Sequence, residues 1–421
     1  MVKASPSIRP LTQPDTLPVH QGREHLSDKR PMMNKTKIIL FLSMLGLADL
    51  AGASPYLPVS EDEVLEKLPI RLESRHEIRE LRKHAADDPT NPVLAFNLVR
   101  RYIELGRAES DPRYFGYAEA ALAPWLRLSN PLPEALVLSA TLHQNRHEFT
   151  AALDDISLAL ARQPRLGQAW LTRAVILEVQ GDYAGAIKSC MALLRLAPLL
   201  TSATCVNSAL SLSGQGEIAL KNLAAAVQNV QIGSDSEKQW ALTTLAEIAA
   251  RLGRYEEAEG NYKAALSIQQ RSSYLLATYA DFLLDRQRPE DALRLLDGET
   301  RADALLLRTA LAEHIVHSPG LTGHVEALKA RFAASRLRGD TTHQGDEARF
   351  ALHLLNDPLS ALELATANWA VQREPRDARI LMEAALAAGK PHAAQAVLDA
   401  MAHSGIEDHE LKQLAKQVKE G

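Results

Sequence analysis

The stretch from Leu166 to Pro198, LGQAWLTRAVILEVQGDYAGAIKSCMALLRLAP, carries most of the information about the fold. On both sides of Gly181, apolar residues recur at spacings of three and four, which predicts two amphipathic helices. Gly181 and Asp182 mark the turn between them, and Pro198 ends the second helix. The stretch therefore reads as one helix–turn–helix unit whose helices pack against each other.

Small residues recur along the chain at one interval. Ala140 and Ala174 are 34 residues apart in the first helices of two units, and Ala152 and Ala186 are 34 apart in the second helices. A small side chain lets two helix backbones approach closely where they cross. A fixed period of this length, built from helix–turn–helix units, indicates a stack of repeats.

The repeats resemble those of the tetratricopeptide-repeat family between residues 91 and 403, most closely across 133–297. In the unit that precedes the Leu166–Pro198 stretch, His147 stands where the family usually has the glycine of the turn. The unit from Leu166 to Pro198 matches the family's landmarks in order and spacing, at Trp170, Ala174, Leu177, Gly181, Tyr183, Ala186, Cys190, Leu193 and Pro198.

This resemblance implies an all-α fold: a right-handed superhelical solenoid of about eight antiparallel helix pairs. The repeats divide the chain into segments, with the repeat array at its centre. The predicted segments are a disordered extension or mis-assigned start (1–32), a signal peptide (33–53), a lead-in with an N-terminal helix (54–90), a well-formed array (91–300), degenerate helical repeats (301–404) and a charged C-terminal capping helix (405–421).

The composition is that of a globular, helix-rich chain. Hydrophobic residues make up 46%, charged residues 24% and aromatic residues only 5%. The chain is rich in Ala and Leu, which favours helices over sheets. The formal net charge of −5 gives no electrostatic basis for binding nucleic acid.

The N-terminal region carries an export signal pattern. Met33–Lys37 is basic, Ile38–Leu50 is mostly apolar, and Ala51-Gly52-Ala53 offers small residues for cleavage. The apolar run is shorter than the roughly 20 residues that a membrane-spanning helix needs. We therefore expect a periplasmic or secreted protein, cleaved near Ala53 and without a stable membrane anchor once the signal is removed.

The resemblance also implies that the first helix of each pair lines a concave groove. Helical spacing places one row of side chains on that face. The row carries four carboxylates and two aromatic rings, which favours a protein or peptide partner with basic segments. An ordinary solvated face is the alternative. The predicted groove residues are Glu134, Thr141, Gln144, Gln168, Leu171, Val175, Glu178, Trp240, Thr243, Glu247, Tyr274 and Asp281.

Two pairs of residues raise the question of covalent or metal chemistry. Cys190 and Cys205, the only cysteines, lie 15 residues apart on either side of Pro198 and form either a disulfide or two small buried thiols. His143 and His147 lie four residues apart on one helix, but zinc needs three or four ligands. No metal site is therefore expected.

Motifs of the common enzyme classes are absent from the sequence. It contains no phosphate-binding glycine loop, no dinucleotide fingerprint and no nucleophile elbow. The sequence therefore predicts a non-catalytic scaffold or adaptor of the cell envelope without a cofactor. Two alternatives stay open: an enzyme or an enzyme's accessory domain on a helical-repeat scaffold, and a repeat protein that self-assembles.

Overall fold

The computed structural model describes residues 72–109, 111–229, 233–268 and 271–420. Across these ranges the chain forms twenty α-helices and one 3₁₀ helix, without a strand. The predicted extension and signal peptide, with its cleavage site near Ala53, lie outside the described residues. Helix α1 (Leu72–Asp87) is the N-terminal helix that the sequence predicts before the repeats.

Nine helix pairs follow α1 in the described part of the chain. We number the pairs 1–9 and call the first helix of each pair inner and the second outer. The inner helices are α2 (Pro92–Glu109), α4 (Pro133–Asn145), α6 (Gly167–Val179), α8 (Leu199–Leu212), α10 (Asp235–Arg251), α12 (Ser273–Asp285), α14 (Asp303–Val316), α16 (Gln344–His353) and α18 (Pro375–Ala387).

The outer helices are α3 (Arg113–Leu126), α5 (Phe149–Arg162), α7 (Tyr183–Leu193), α9 (Gly216–Asn229), α11 (Tyr255–Ser267), α13 (Pro289–Leu295), α15 (Leu321–Leu337), α17 (Pro358–Val371) and α19 (Gln395–Ser404). The 3₁₀ helix Pro391–Ala394 leads into α19, and α20 (His409–Glu420) ends the chain. Each helix packs on its pair mate, and consecutive inner helices also touch. The predicted all-α repeat solenoid is confirmed, with nine pairs instead of about eight.

The small residues of the repeat lie where helices cross. Ala140, Ala152, Ala174 and Ala186 are all at most 1% exposed. A larger side chain at such a crossing would push the two helices apart, which typically costs about 1–3 kcal/mol. The 34-residue interval is therefore the spacing, along the chain, of the small residues at which helices cross in successive pairs.

The turn inside a pair passes through a left-handed residue in pairs 2 to 9. The φ angle is 80° at Gly181 and 76° at Gly253, a region that favours glycine because it has no Cβ. His147 occupies the same place in pair 2 with φ 58°. The histidine that stands in for the family's glycine thus adopts the glycine-like conformation.

Cys190 and Cys205 form a disulfide. Their Cα atoms are 5.5 Å apart, so α7 of pair 3 is covalently joined to α8 of pair 4. Both cysteines are buried in an apolar cluster with Ala174 and Leu193. The sequence left two possibilities for this pair, and the structure has the bonded one.

Helix α20 is more amphipathic than its charged sequence indicates. Leu411, Ala415 and Val418 form one apolar stripe and are at most 8% exposed. The stripe joins the core of the last repeats, and α20 packs on α18. The sequence predicted a charged capping helix, and its three lysines and two glutamates mask this apolar stripe in the sequence.

The solenoid folds back on itself along a line that we call the seam. At the seam, the turn inside pair 1 lies opposite the loop that follows pair 6. In the same way, the turns inside pairs 2, 3 and 4 lie opposite the loops that follow pairs 7, 8 and 9. In pair 3, the backbone N–H of Arg373 donates to the carbonyl oxygen of Val179 at 2.7 Å. In pair 4, the N–H of Gly216 donates to Glu407 Oε2 at 2.6 Å. These bonds join residues about 190 positions apart and close the superhelix.

Helix α20 extends the closure to pairs 5 and 6. Glu410 Oε1 accepts hydrogen bonds from the hydroxyl of Tyr255 at 3.2 Å and from Arg286 Nη2 at 2.9 Å. The guanidinium of Arg286 also lies 3.8 Å from the centre of the Tyr255 ring. One C-terminal carboxylate thus binds the turns of two neighbouring pairs.

Candidate binding cavity

The closed superhelix surrounds a cavity of about 1900 Å³. Most of its wall comes from one face each of α2 and α4 and from the N-terminal turns of α6, α8, α10, α12 and α14. Residues 106–108, 112, 145–148 and 338–343, which lie along the seam, complete the wall. The cavity is therefore the concave side of the array, narrowed because the solenoid returns on itself.

Six of the twelve predicted groove residues line this cavity. Thr141 and Thr243 donate their hydroxyl hydrogens to carbonyl oxygens in their own helices, at 2.9 and 2.7 Å. The indole N–H of Trp240 is buried and has no hydrogen-bond partner among the described residues. The six lining residues are Glu134, Thr141, Gln168, Trp240, Thr243 and Tyr274.

The other six predicted groove residues do not line the cavity. Leu171 is fully buried beside the disulfide, in a cluster with Ala174 and Leu193. Its assignment to the groove was wrong because α6 is packed on several sides, with ten of its thirteen residues buried. The six residues away from the cavity wall are Gln144, Leu171, Val175, Glu178, Glu247 and Asp281.

The carboxylates of the predicted acidic row are bonded inside the fold. Glu178 accepts a hydrogen bond from the Ser208 hydroxyl at 2.9 Å, and Glu247 accepts one from the Tyr274 hydroxyl at 2.5 Å. Each bond connects one inner helix to the next. These acidic groups therefore hold the inner layer together and are not available to a basic segment.

Asp281 has the same role with stronger partners. Arg308, only 2% exposed, donates to Asp281 Oδ2 at 2.7 Å and to Asp346 Oδ1 at 3.1 Å, and Arg349 donates to Asp281 Oδ1 at 3.0 Å. Burial raises the pKa of Asp281, but the charges of Arg308 and Arg349 outweigh burial and hold that pKa below its usual range. The inner row thus contains arginines as well as carboxylates.

The charges on the cavity wall balance. Eight arginines and eight carboxylates line it, with no lysine. Glu134, the one predicted groove carboxylate on the wall, forms an ion pair with Arg100. The structure therefore does not support the acidic groove that the sequence predicted.

The wall and inner-row residues that the sequence did not predict are arginines, and they occur in two settings. Arg308 lies on an inner helix beyond residue 300, where the repeat interval weakens, although its position in α14 follows the same helical spacing. Arg107, Arg301 and Arg338 lie at the end of α2 and in connecting loops. No periodicity marks such positions, so only the closure of the superhelix brings them to one cavity.

The two histidines considered as metal ligands have other contacts. His143 Nδ1 lies 2.5 Å from Glu148 Oε2, and the His147 ring stacks on Phe149 with 5.6 Å between ring centres. Burial lowers the pKa of His147 to about 3, with the charges of Arg376 and His343 adding to the effect. Within the described ranges, no group of three or more His, Cys, Asp or Glu residues is arranged to hold a metal ion.

None of the helices in the described part of the chain combines the length and the apolar character that a membrane crossing requires.

Comparisons with known proteins point to one repeat family. A sequence model described as a tetratricopeptide repeat matches residues 239–260, which span parts of α10 and α11. Comparison with curated proteins gives no match.

Several solved structures are similar in fold. One is a Rap protein complexed with competence and sporulation factor, with TM-score 0.46 and 15% identity over 71% of this chain and 92% of that one. Another is yeast Tom70, with TM-score 0.30 and 10% identity over 83% of this chain and 92% of that one. A third is the APC/C hetero-tetramer Cut9-Hcn1, with TM-score 0.40 and 13% identity over 74% of this chain. The present chain spans about half (52%) of that last relative's length.

Proposed function

Because this chain is a tetratricopeptide-repeat protein, we propose that it is a non-catalytic interaction protein that holds a segment of a protein partner in its cavity. The observation that carries the proposal is the cavity itself, whose wall includes the first turns of six inner helices. Trp240 and Tyr274 offer aromatic surface on its wall, and the partly exposed Gln168 offers a polar side chain. Such a mixture of aromatic and polar groups suits binding of a polypeptide segment.

The size of the cavity supports a polymeric ligand. Pockets for small molecules are usually about 300–1,000 Å³, whereas this cavity measures about 1900 Å³. Its wall is also built from many separate helices, so an extended segment can contact several repeats at once. A protein segment therefore fits the cavity better than a metabolite.

Photo-crosslinking tests this proposal directly. A photoreactive benzoylphenylalanine replaces Gln168, on the cavity wall, or Arg165, an exposed residue three positions earlier that does not line the cavity. We expect a defined partner band from position 168 in the cells that make the protein, with little from position 165. Equal capture from both positions, or none from position 168, would contradict the proposal.

We further propose that the protein acts in the cell envelope or outside the cell. The basic, apolar and small-residue order of residues 33–53 supports export. The Cys190–Cys205 disulfide supports it independently, because such bonds persist mainly in oxidising compartments.

Thiol labelling separates this location from the cytosol. We expect protein extracted from intact cells and denatured without reductant to resist maleimide. A form that starts at Ser54 and stays in the cytosol should label at both cysteines. Two reactive thiols in the full-length protein would contradict the proposal that the protein is exported.

A further inference from the structure

We infer that the cavity selects a partner segment rich in carboxylates, bound by Arg107, Arg301 and Arg338. The inference rests on the proposed function, since it assumes that a polypeptide segment occupies the cavity, and it adds the chemistry of that segment. It reverses the sign of the charge that the sequence predicted for the partner.

Every carboxylate on the wall is bonded within the protein. Glu148 binds Arg146 at 2.9 Å, and Asp303 binds Arg331 at 2.9 Å. Asp340 accepts from both the backbone N–H and the hydroxyl of Thr342. A basic segment would have to displace such partners before it could bind. The eight wall carboxylates are Glu104, Glu119, Glu134, Glu148, Glu237, Asp303, Asp340 and Asp346.

The arginines on the wall divide into two groups. Five are paired with carboxylates, among them Arg101 with Glu77 at 2.6 Å and Arg271 with Glu299 at 3.4 Å. The remaining three, Arg107, Arg301 and Arg338, form no ion pair with any described carboxylate. These three are therefore the wall charges still available to a ligand.

The three arginines come from separate parts of the chain, and all of them line the cavity beside the seam. Arg107 lies near the end of α2, just before the turn of pair 1. Across the seam, Arg301 is close enough that its charge adds to the hydrogen bond from Arg113 in lowering the pKa of Asp111. Arg338 belongs to the next connecting loop and donates to the Ser335 hydroxyl at 3.1 Å. The part of the cavity wall beside the seam therefore carries three cationic side chains.

Two further observations favour an anion. Burial lowers the pKa of Arg107 to about 10, because the loss of water outweighs the opposing effect of the charge of Glu104. The N-terminal turns of six inner helices also line the cavity, and helix N-termini carry partial positive charge. Carboxylates bind arginine through strong charge-assisted hydrogen bonds. A segment with Asp or Glu residues would thus meet favourable charge on several sides.

Three labelled peptides of twelve residues test the inference by fluorescence anisotropy. They are four repeats of Glu-Gly-Ser, of Gln-Gly-Ser and of Lys-Gly-Ser. We expect the Glu peptide to bind about tenfold more tightly than the Gln peptide at low salt, with the Lys peptide weakest, because three partly screened ion pairs add up to that factor. Added salt should reduce the preference.

Variants connect the preference to the three arginines. The triple variant Arg107→Gln, Arg301→Gln, Arg338→Gln should bind the Glu and Gln peptides about equally. The control Arg127→Gln, Arg165→Gln, Arg195→Gln removes the same charge from exposed positions that do not line the cavity, and should keep the preference. If the first triple variant fails to fold, the double variant Arg301→Gln, Arg338→Gln replaces it, because both of these arginines are exposed. The double variant should still lose most of the preference for the Glu peptide over the Gln peptide.

Two results would overturn the inference. One is tightest binding of the Lys peptide, and the other is an unchanged Glu preference in the folded Arg107, Arg301 and Arg338 variant. If partner capture through position 168 persists while the three peptides bind equally, the charge inference fails and the proposed function stands. If position 168 captures nothing, the proposed function itself fails.

Discussion

Gly214 and Gly253 occupy the same place in consecutive pairs but have different surroundings. Both have left-handed φ angles, 77° and 76°. A Cβ on Gly253 would meet no atom within 4 Å, whereas a Cβ on Gly214 would lie 2.9 Å from the carbonyl oxygen of Gly405, across the seam. Gly253 is therefore required only by the backbone conformation of the turn. Gly214 is required both by that conformation and by the close approach of the backbone across the seam.

Alanine substitutions at these two glycines should have unequal effects. Gly253→Ala should lower the free energy of unfolding by about 1–2 kcal/mol, the usual cost of a left-handed conformation for a residue with a Cβ. Gly214→Ala should cost more, because the seam must also move. Thermal unfolding of both variants measures the difference. Equal losses would show that the chain is not closed at Gly405.

Single residues were predicted well where the repeat itself imposes them. Ala174 and Ala186 are buried at helix crossings, and His147 takes the glycine position of its turn. The site residues were predicted only in part. Glu178 and Glu247 lie on the expected row, yet their partners Ser208 and Tyr274 come from the next inner helix. The sequence pattern of one helix does not show which side chains the neighbouring helix places against it.

Among the elements, the outer helices follow the sequence pattern more simply than the inner ones. In α5 the buried residues are Phe149, Ala152, Ile156 and Ala159, which form one stripe. In α6 residues on most faces are buried, because this helix contacts its pair mate and the inner helices on both sides. Helical spacing alone therefore cannot distinguish a cavity-lining residue such as Gln168 from a core residue such as Leu171.

The beginning and the end of an inner helix have different roles. In α6 and α12 the first turn lines the cavity, at Gln168 and Tyr274, whereas later positions form the polar contacts between inner helices, at Glu178 and Asp281. The sequence row treated these positions as one surface. Position along the helix, as well as helical face, thus determines which residues can reach a ligand.

At the scale of the whole molecule, the superhelix closes on itself at the seam. The repeat pattern of the sequence does not predict this closure. The repeat interval predicts stacking of each pair on the next. It does not predict that Arg373 will bind Val179, or that Glu410 will bind the turns at Tyr255 and Arg286. The pitch of the superhelix sums small rotations from every pair, so contacts about 190 residues apart emerge only in three dimensions.

Closure converts an open groove into a cavity that the seam bounds on one side. Burial of Glu178 and the ion pairs of Asp281 fill one part of the concave side, while the first turns of the inner helices stay accessible in the other. Arg107, Arg301 and Arg338 lie on the accessible part. We propose that a partner segment binds in this accessible part.

Hydrogen–deuterium exchange, with and without the partner captured through position 168, tests that claim most directly. The first amides of a helix lack intrahelical partners and exchange readily, so they report on a ligand placed over them. We predict slower exchange in the first turns of α4, α6 and α10 and in the loops near Arg107 and Arg301, with the outer helices α5, α7 and α11 unchanged. Protection confined to the outer helices would contradict the account.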